Sequence, residues 1–245
     1  MRVFLDPGHG GRDPGACFKA LQEKELTLAL ALRIRDQLAR QKGVIIKLSR
    51  HVDETCSLRQ RVELAEAFKA DLYVSIHINA GGGTGFESFR YLKTGKATIE
   101  LHQLFHQTMI ETLPVTDRGL KQGDFYVLRQ TSMPAVLTES LFIDHPSDYE
   151  NLMKPSMIDR IVNAHVAAIL RIKNKNVNRQ RFVCGSFKSE ANARKRELEL
   201  TAAGFPATIK RLRVKETTFY RVVVDETGDT KAKLQLLGYD AFKLT

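Results

Sequence analysis

The chain has 245 residues, of which 43% are hydrophobic, and a formal net charge of +10 at neutral pH. This length allows one large domain, or an ordinary domain followed by a small one, and the hydrophobic fraction is sufficient for a packed core. No apolar run approaches the length of a transmembrane helix, so the sequence predicts no insertion into a membrane.

The N-terminus and the cysteines bear on where the protein is made. Met1 leads directly into an apolar run, without the charged and apolar regions of a signal peptide, so we expect synthesis in the cytoplasm. Cys17, Cys56 and Cys184 form no C-x-x-C pair and no disulfide framework. We therefore expect reduced cysteines.

The first 172 residues alternate between short apolar runs and amphipathic segments. The patterns predict strands at 3–6, 44–48, 72–78, 86–92, 125–128 and 134–139, and helices at 23–42, 57–68, 96–113 and 147–172, with an irregular segment at 114–123. Buried strands that alternate with helices indicate an α/β fold, in which a mixed, mostly parallel sheet carries helices on both faces.

A second domain is predicted after a polar linker. Residues 173–178 lack periodicity and divide the chain into domains at 1–172 and 179–245. In the second part, a strand-like run followed by a helical run occurs twice, and each helix ends in Gly-aromatic-x-Ala, at residues 204 and 238. Two such units predict a small ferredoxin-like α+β domain of βαββαβ order.

The positive charge is concentrated in this second domain. Residues 178–245 carry 14 Lys and Arg against 8 Asp and Glu, whereas residues 1–172 carry 22 against 20. A basic module suits a polyanionic partner such as nucleic acid, teichoic acid or an anionic cell wall.

Four chemically useful side chains are predicted to meet at one edge of the sheet. His9 follows the first strand in Asp-Pro-Gly-His-Gly-Gly, His77 and Glu139 close later strands, and Glu23 opens the first helix. Ligands bind beyond the carboxyl ends of parallel strands. Two imidazoles and a carboxylate form a common catalytic zinc shell, and a second carboxylate can act as general base. Taken singly, each histidine could instead be a hydrogen-bonding or capping residue.

Other polar residues have weaker claims. Asp6 could hydrogen-bond to a ligand imidazole or cap the turn, while Asn79, Arg50 and Arg118 could contact a substrate or make structural hydrogen bonds. Among the remaining histidines, His102 and His106 are spaced to bind a metal on a helix face but are expected to pack or face solvent. We expect no special role for His51, His145 and His165.

These motifs carry a family resemblance. Residues 6–11, Glu23-Lys24, residues 75–79 and residues 134–142 resemble, in order, the zinc-dependent N-acetylmuramoyl-L-alanine amidases. The resemblance implies that His9, Glu23 and His77 bind zinc and that Glu139 is the catalytic acid and base. Glu25 competes with Glu23, but Glu23 holds the motif's place before lysine.

The resemblance also implies the reaction and the partners. The reaction is hydrolysis of the amide between N-acetylmuramic acid and L-alanine in peptidoglycan. Mother-cell-lysis amidases of spore-forming bacteria are the most similar group, and phage endolysins are also similar. The C-terminal repeat resembles the SPOR domain, which binds glycan strands stripped of stem peptides. We therefore expect a peptidoglycan partner, no nucleic acid, and access to the wall after lysis or holin-type release.

One departure and two alternatives remain. After the glutamate the family usually shows Gly-Phe-(Ile/Leu)-Ser-Asn, whereas this chain has Ser-Leu-Phe-Ile-Asp at 140–144, which puts the contacts of that loop in doubt. A zinc carboxypeptidase-like peptidase would need an arginine for the substrate C-terminus, and the sequence does not establish one. A nucleic-acid-binding protein would explain the charge, but the basic domain lacks interleaved aromatic and basic residues.

Overall fold

The computed structural model describes residues 1–177, 181–225 and 230–243, and the chain forms two compact units, Met1–Lys173 and Asn174–Thr245. In the described part of the chain, no helix is both long and apolar enough to cross a membrane.

The first unit is built on a six-stranded sheet. Its strands are β1 (Arg2–Pro7), β4 (Ile45–Leu48), β5 (Leu72–Asn79), β6 (Phe86–Arg90), β7 (Asp117–Gln122) and β8 (Ala135–Phe142), and a small hairpin consists of β2 (Cys17–Phe18) and β3 (Leu21–Gln22). The strand order in the sheet is β4-β1-β5-β8-β6-β7. Only the β8–β6 pair is antiparallel, so the predicted mixed, mostly parallel sheet is confirmed.

Helices cover both faces of this sheet. They are α1 (Glu23–Leu38), α2 (Leu58–Phe68), α3 (Lys96–Thr112), α4 (Tyr126–Gln130), α5 (Pro146–Leu152) and α6 (Pro155–Val177). Alternation along β1 sends Val3 and Leu5 into the cluster that holds Ile34 of α1, and Phe4 into the opposite cluster, which holds Val62 of α2. The strand ends are therefore held between two packed layers.

Two local predictions were wrong. Residues 125–128 do not form a strand: α4 begins at Tyr126, and the amides of Leu128 and Arg129 donate to the Phe125 carbonyl, which buries Val127 and Leu128 on one helical turn. The irregular segment at 114–123 contains β7, which pairs with β6.

The predicted linker is helical where the structure describes it, and the boundary between the two compact units falls within it. Residues 173–177 continue α6, because extending a formed helix costs little per residue even after its apolar stripe ends at Ile172; residue 178 lies outside the described residues. The proposed domain bounds themselves stay a prediction.

The second unit has the predicted βαββαβ order. It comprises β9 (Arg181–Phe187), α7 (Glu190–Ala202), β10 (Ala207–Val214), β11 (Thr217–Asp225), α8 (Thr230–Leu236) and β12 (Phe242–Lys243), and its antiparallel sheet has the order β10-β11-β9-β12. The Gly-aromatic repeat ends both helices. Gly204 and Gly238 have φ of 86° and 79°, and the amides of Phe205 and Tyr239 donate back to Leu200 and Leu234.

Candidate metal and catalytic site

The loop after β1 brings His9 back over the sheet edge. His9 lies in the left-handed region with φ of 62°, where few residues other than glycine are found. Gly8 allows the chain to pass against the neighbouring strand end, since a Cβ atom at Gly8 would lie 2.2 Å from Cε1 of His77. The two imidazole rings consequently meet edge to face, with centroids 5.0 Å apart.

Glu23 lies between these two rings. Its Oε2 is 3.0 Å from His9 Nε2, and its Oε1 is 2.8 Å from His77 Nδ1. The carboxylate also accepts the amide hydrogens of Ala16 and Ile78, at 2.9 and 3.1 Å. Burial works to raise the pKa of Glu23, but the hydrogen bonds from His77 and His9 outweigh it and hold that pKa far below its usual range. Glu23 is therefore an anion at neutral pH.

His9, Glu23 and His77 form a possible metal site. One nitrogen or oxygen atom from each residue lies within 4.8 Å of the other two. Two imidazoles and one carboxylate leave a fourth coordination position free for water or substrate, as in catalytic zinc sites. Glu25 is exposed on α1, so the competing ligand is not part of this cluster.

Asp13, which the sequence analysis missed, supports the first imidazole. Its Oδ2 lies 2.8 Å from His9 Nδ1, and the amide of Gly15 donates to its other oxygen at 3.0 Å. A carboxylate on the far nitrogen is the usual means of fixing the tautomer and orientation of a metal-binding histidine. The only sequence signal is that Asp13 lies four residues beyond His9 in the same glycine-rich loop.

Of the two roles left open for Asp6, a hydrogen bond to a ligand imidazole is not the one observed, because other side chains bind its carboxylate. Asp6 is buried and accepts from Arg61 Nη1 at 2.6 Å, from the Tyr73 hydroxyl at 2.6 Å and from Ser75 Oγ at 3.0 Å. Burial acts to raise the pKa of Asp6, and Arg61 together with these hydrogen bonds keeps it below the ordinary value. The acid therefore anchors the strand end under the metal loop.

Two buried arginines hold the backbone of that loop. Arg61 donates to the carbonyls of Pro7 and His9 at 2.7 and 2.6 Å, and Arg50 donates to Gly8 at 2.9 Å. Arg50 is fully buried, so of the two roles left open for it, a substrate contact or structural hydrogen bonds, the structure has the second. Lys24 adds a third cation, bonded to the Gly11 carbonyl at 3.0 Å and to Asp53 at 2.6 Å.

Glu139 faces the possible metal site from the neighbouring strand. It is the register partner of His77 across the parallel β5–β8 pair, so both side chains leave the same face of the sheet. The residue is partly exposed at the cleft, while its Oε2 is buried without a hydrogen-bond partner among the described residues. Burial raises the pKa of Glu139 well above its ordinary value, and the charges of Glu23 and Glu87 add to that rise.

Glu87 is a second residue that the sequence analysis missed, and it lies beside Glu139 on the next strand of the sheet. It pairs with Glu139 across β8 and β6. It accepts from Asn79 Nδ2 at 2.8 Å, from Arg118 Nε at 2.8 Å and from Lys121 Nζ at 2.6 Å. Asn79 lies at the cleft, and Arg118 is partly exposed and lies over the ring of Phe142. The available signal was an acid between Phe86 and Phe89 in a predicted strand.

The loop that departs from the family pattern is held by two acids. Asp144 accepts the amides of Gly81 and Gly82, and Asp148 accepts those of Gly85 and Phe142 at 3.0 Å. The segment after Glu139 thus fixes the glycine turn that follows β5.

The other histidines lie outside the metal cluster. His102 and His106 are buried and share Ser88 Oγ, 2.7 Å from each, so they pack in the interior, one of the two placements expected for them. His165 is buried between Thr138 and Ile161, His145 contacts Ser147, and His51 is exposed.

Two cavities meet at the cluster. A cavity of about 240 Å³, which we term the β1-side cavity, is lined by Asp6, Asp13, Thr55, Cys56, Ser57, Arg61 and Ser75 among others. A cavity of about 430 Å³, the β8-side cavity, is lined by Glu23, Asn79, Ala80, Phe125, Tyr126, Leu137 and Glu139 among others. His9, His77, Leu58 and Val127 line both.

An α/β sheet with a possible metal site at its carboxyl edge is an arrangement suited to a metal-dependent hydrolase. The N-acetylmuramoyl-L-alanine amidase family model (Amidase_3) matches residues 3–171, and the SPOR domain model matches residues 181–242. The chain belongs to the N-acetylmuramoyl-L-alanine amidase family, and it is an enzyme of that class that acts on peptidoglycan.

Relatives and solved structures agree with this. CwlM of Bacillus licheniformis and the sporulation-specific amidase of Bacillus subtilis (strain 168) are each 39% identical over 85% of this chain and 84% of the relative. The endolysin of Bacillus phage SPP1 is 41% identical over 71% of this chain and 68% of the relative. The crystal structure of the Clostridium difficile 630 amidase superposes with a TM-score of 0.68, at 35% identity, over 71% of this chain and 96% of that chain.

Proposed function

We propose that this enzyme hydrolyses the amide between the lactyl group of N-acetylmuramic acid and L-alanine, with Glu139 as general acid and base beside a zinc ion held by His9, Glu23 and His77. The observation that carries the proposal is the register of Glu139 with His77, which puts a carboxylate oxygen that has no hydrogen-bond partner among the described residues on the same face as the metal cluster.

The residues present fit zinc. The donor set is two imidazoles and an ionised carboxylate, and Asp13 holds the far nitrogen of His9. Bound zinc supplies a water molecule of lowered pKa and polarises the scissile carbonyl. Calcium and magnesium prefer shells made only of oxygen, so they suit these ligands poorly.

Glu139 carries the proton through the reaction. As the water oxygen bonds to the carbonyl carbon, Glu139 accepts a proton from it; as the carbon–nitrogen bond breaks, Glu139 returns that proton to the departing amine. Burial helps both steps, because a carboxylate with a raised pKa takes up a proton more readily and then holds that proton for the amine.

The second unit holds the enzyme on its substrate. The SPOR model matches it, and it carries most of the excess positive charge, so we propose that it binds the glycan strands and raises the local substrate concentration. The named relatives favour cell-wall lysis, in sporulation or by a phage. The route by which the enzyme reaches the wall stays a prediction.

The metal and the role of Glu139 are tested together on the full chain. We expect about one zinc per chain by mass spectrometry of the metal content. Digestion of purified walls should stop after chelation and return with zinc but not with magnesium. Glu139→Gln should keep the zinc and lose digestion. Full activity in the chelated protein, or in Glu139→Gln, would contradict the proposal.

A further inference from the structure

We infer that Glu87 is a positioning residue for the reaction, because it binds the nearby hydrogen-bond donors and so keeps them from pairing with Glu139. These donors are the side chains of Asn79, Arg118 and Lys121, which we term the Glu87 donors. The inference rests on the proposed function, since it takes Glu139 as the general acid and base. It adds a role for an acid outside the metal cluster.

Glu87 and Glu139 are neighbouring acids with opposite surroundings. They are register partners across the antiparallel β6–β8 pair, so their Cβ atoms lie about 4.5–5.5 Å apart on one face of the sheet. Glu87 is 5% exposed and accepts all three Glu87 donors, at 2.6–2.8 Å. In the described part of the chain, the buried Oε2 of Glu139 has no hydrogen-bond partner. The donors are therefore divided unequally between two adjacent carboxylates.

The sheet places Glu87 between Glu139 and the two cations. The strands β8, β6 and β7 are successive neighbours, and Arg118 and Lys121 reach Oε2 of Glu87 from β7. Asn79 reaches Oε1 of Glu87 from β5, on the other side of β8. A buried carboxylate without a partner is costly, so donors released from Glu87 are expected to turn to Glu139.

The charge of Glu87 is what holds the cations. Burial acts to raise the pKa of Glu87, but hydrogen bonds from Lys121 and Arg118 outweigh it and hold that pKa below its ordinary value. Both cations are partly exposed and have long side chains, so they can move when the anion is removed. A cation beside Glu139 would stabilise its charged form and make it a weaker base. Pairing with a cation would therefore slow the proton transfers of the reaction.

Two other roles for these side chains predict different behaviour. If Arg118 and Lys121 bound the substrate, loss of Glu87 would act mainly on KM. If Glu87 only fastened the edge strand β7 to β6, removal of the two cations as well would add to the damage. The inference instead predicts a loss in kcat that is partly reversed when the cations are also removed.

Removal and rescue of the charge tests the inference in the full chain loaded with zinc. Glu87→Gln keeps the shape of the side chain and loses its charge. The triple variant Glu87→Gln/Arg118→Gln/Lys121→Gln also removes both cations. Glu111→Gln is the matched control, because it removes the acid of an exposed ion pair on α3. kcat and KM are measured from the L-alanine amino termini released from a soluble disaccharide–tetrapeptide, and zinc affinity by competition with a chelator.

The expected result is a loss and a partial recovery of kcat. Glu87→Gln should lower kcat at least about tenfold, a part of the roughly 10²- to 10⁴-fold that general acid–base catalysis contributes, with KM within about threefold of wild type. The triple variant should be at least about threefold faster than Glu87→Gln, because the substitutions are coupled. Glu111→Gln should leave kcat unchanged, and zinc affinity should be the same in all of these proteins.

A crystal structure of Glu87→Gln adds a readout other than activity. One of the Glu87 donors should lie within about 3.5 Å of a Glu139 carboxylate oxygen. Donors that stay in place, a kcat equal to that of Glu111→Gln, loss of zinc, or a triple variant no faster than Glu87→Gln each overturn the inference.

The triple variant carries the test alone if Glu87→Gln does not fold. It leaves neither cation without a partner, so its kcat should lie within about tenfold of that of Glu111→Gln, and a lower kcat overturns the inference. Full activity in Glu139→Gln rejects the proposed function instead, whatever the variants of Glu87 do.

Discussion

The absence of a side chain at Gly8 is required for the metal site, and Gly8→Ala is expected to remove metal binding without changing a ligand. A methyl group there would lie 2.2 Å from Cε1 of His77, whereas carbon atoms in contact are normally about 3.5–4.0 Å apart. The ring or the loop must therefore move by more than about 1 Å. Such a movement separates His77 from Glu23, which are now 2.8 Å apart.

The expected magnitudes follow from that overlap. Overpacking of this kind costs about 1–3 kcal/mol of unfolding free energy. Zinc affinity should fall by at least about 10- to 100-fold, the range found when the groups around a metal ligand are disturbed. Affinity is measured by competition with a chromophoric chelator, and stability by urea unfolding of the metal-free protein.

Gly95→Ala is the matched control. A Cβ atom at Gly95 would meet nothing within 4 Å, and its φ of −72° suits any residue. We expect unchanged zinc affinity, and a loss of about 0.5–1 kcal/mol of unfolding free energy because alanine is a poorer N-cap for α3 than glycine. If Gly8→Ala bound zinc as tightly as Gly95→Ala, the close approach of the loop to His77 would not be needed for the site.

Three further perturbations address the support of the site and the core. Asp13→Asn should weaken zinc binding by about 10- to 100-fold in the same chelator assay; unchanged affinity would show that Asp13 does not orient His9. Arg61→Lys should lower the urea-unfolding free energy by about 3 kcal/mol, because one ammonium cannot satisfy the acceptors of a buried guanidinium. The exposed Arg59→Lys should change that free energy by less than about 0.5 kcal/mol. Equal losses would show that Arg61 does not hold the metal loop in place. Burial lowers the pKa of His165 to about 4 from 6.5, so only the unfolded chain takes up this proton between those values. The stability that neutral His165 contributes is therefore complete above pH 6.5, and it is lost toward pH 4 at up to about 1.4 kcal/mol per pH unit. In urea titrations, His165→Gln should make the unfolding free energy depend less steeply on pH between these values.

The side chains at the sheet edge could be predicted because short sequence patterns determine their positions. His77 and Glu139 each end an apolar run, and the ends of parallel strands meet wherever the sheet lies. Glu23 opens a helix that must begin at the same edge. Each of these positions follows from a pattern of a few residues.

The hydrogen bonds that hold the metal loop in place could not be predicted, because the residues that make them are far apart in sequence. Asp6 precedes His9 by three residues and looked like its partner, but Arg61, 55 residues further on, takes that carboxylate. The sequence left Arg50 with two roles, a substrate contact or structural hydrogen bonds, and its burial beneath the loop's carbonyls appears only in the structure. The periodicity of a sequence does not indicate which distant cation will pair with a buried acid.

The secondary structure predicted for two short segments was wrong for a different reason. Residues 125–128 contain aromatic and β-branched side chains, which favour strands, yet the tertiary environment places them on one helical turn. The segment at 117–122 has little apolar character because β7 is an edge strand with an exposed face.

The chemistry of the wall fragments tests the central claim most directly. Purified peptidoglycan is digested with the wild type, with Glu139→Gln and with chelated enzyme, and the new chain ends are labelled and identified. The account predicts new L-alanine amino termini with the wild type and none with the other two. New reducing sugar ends, amino termini of another residue, or L-alanine termini released by Glu139→Gln would contradict it.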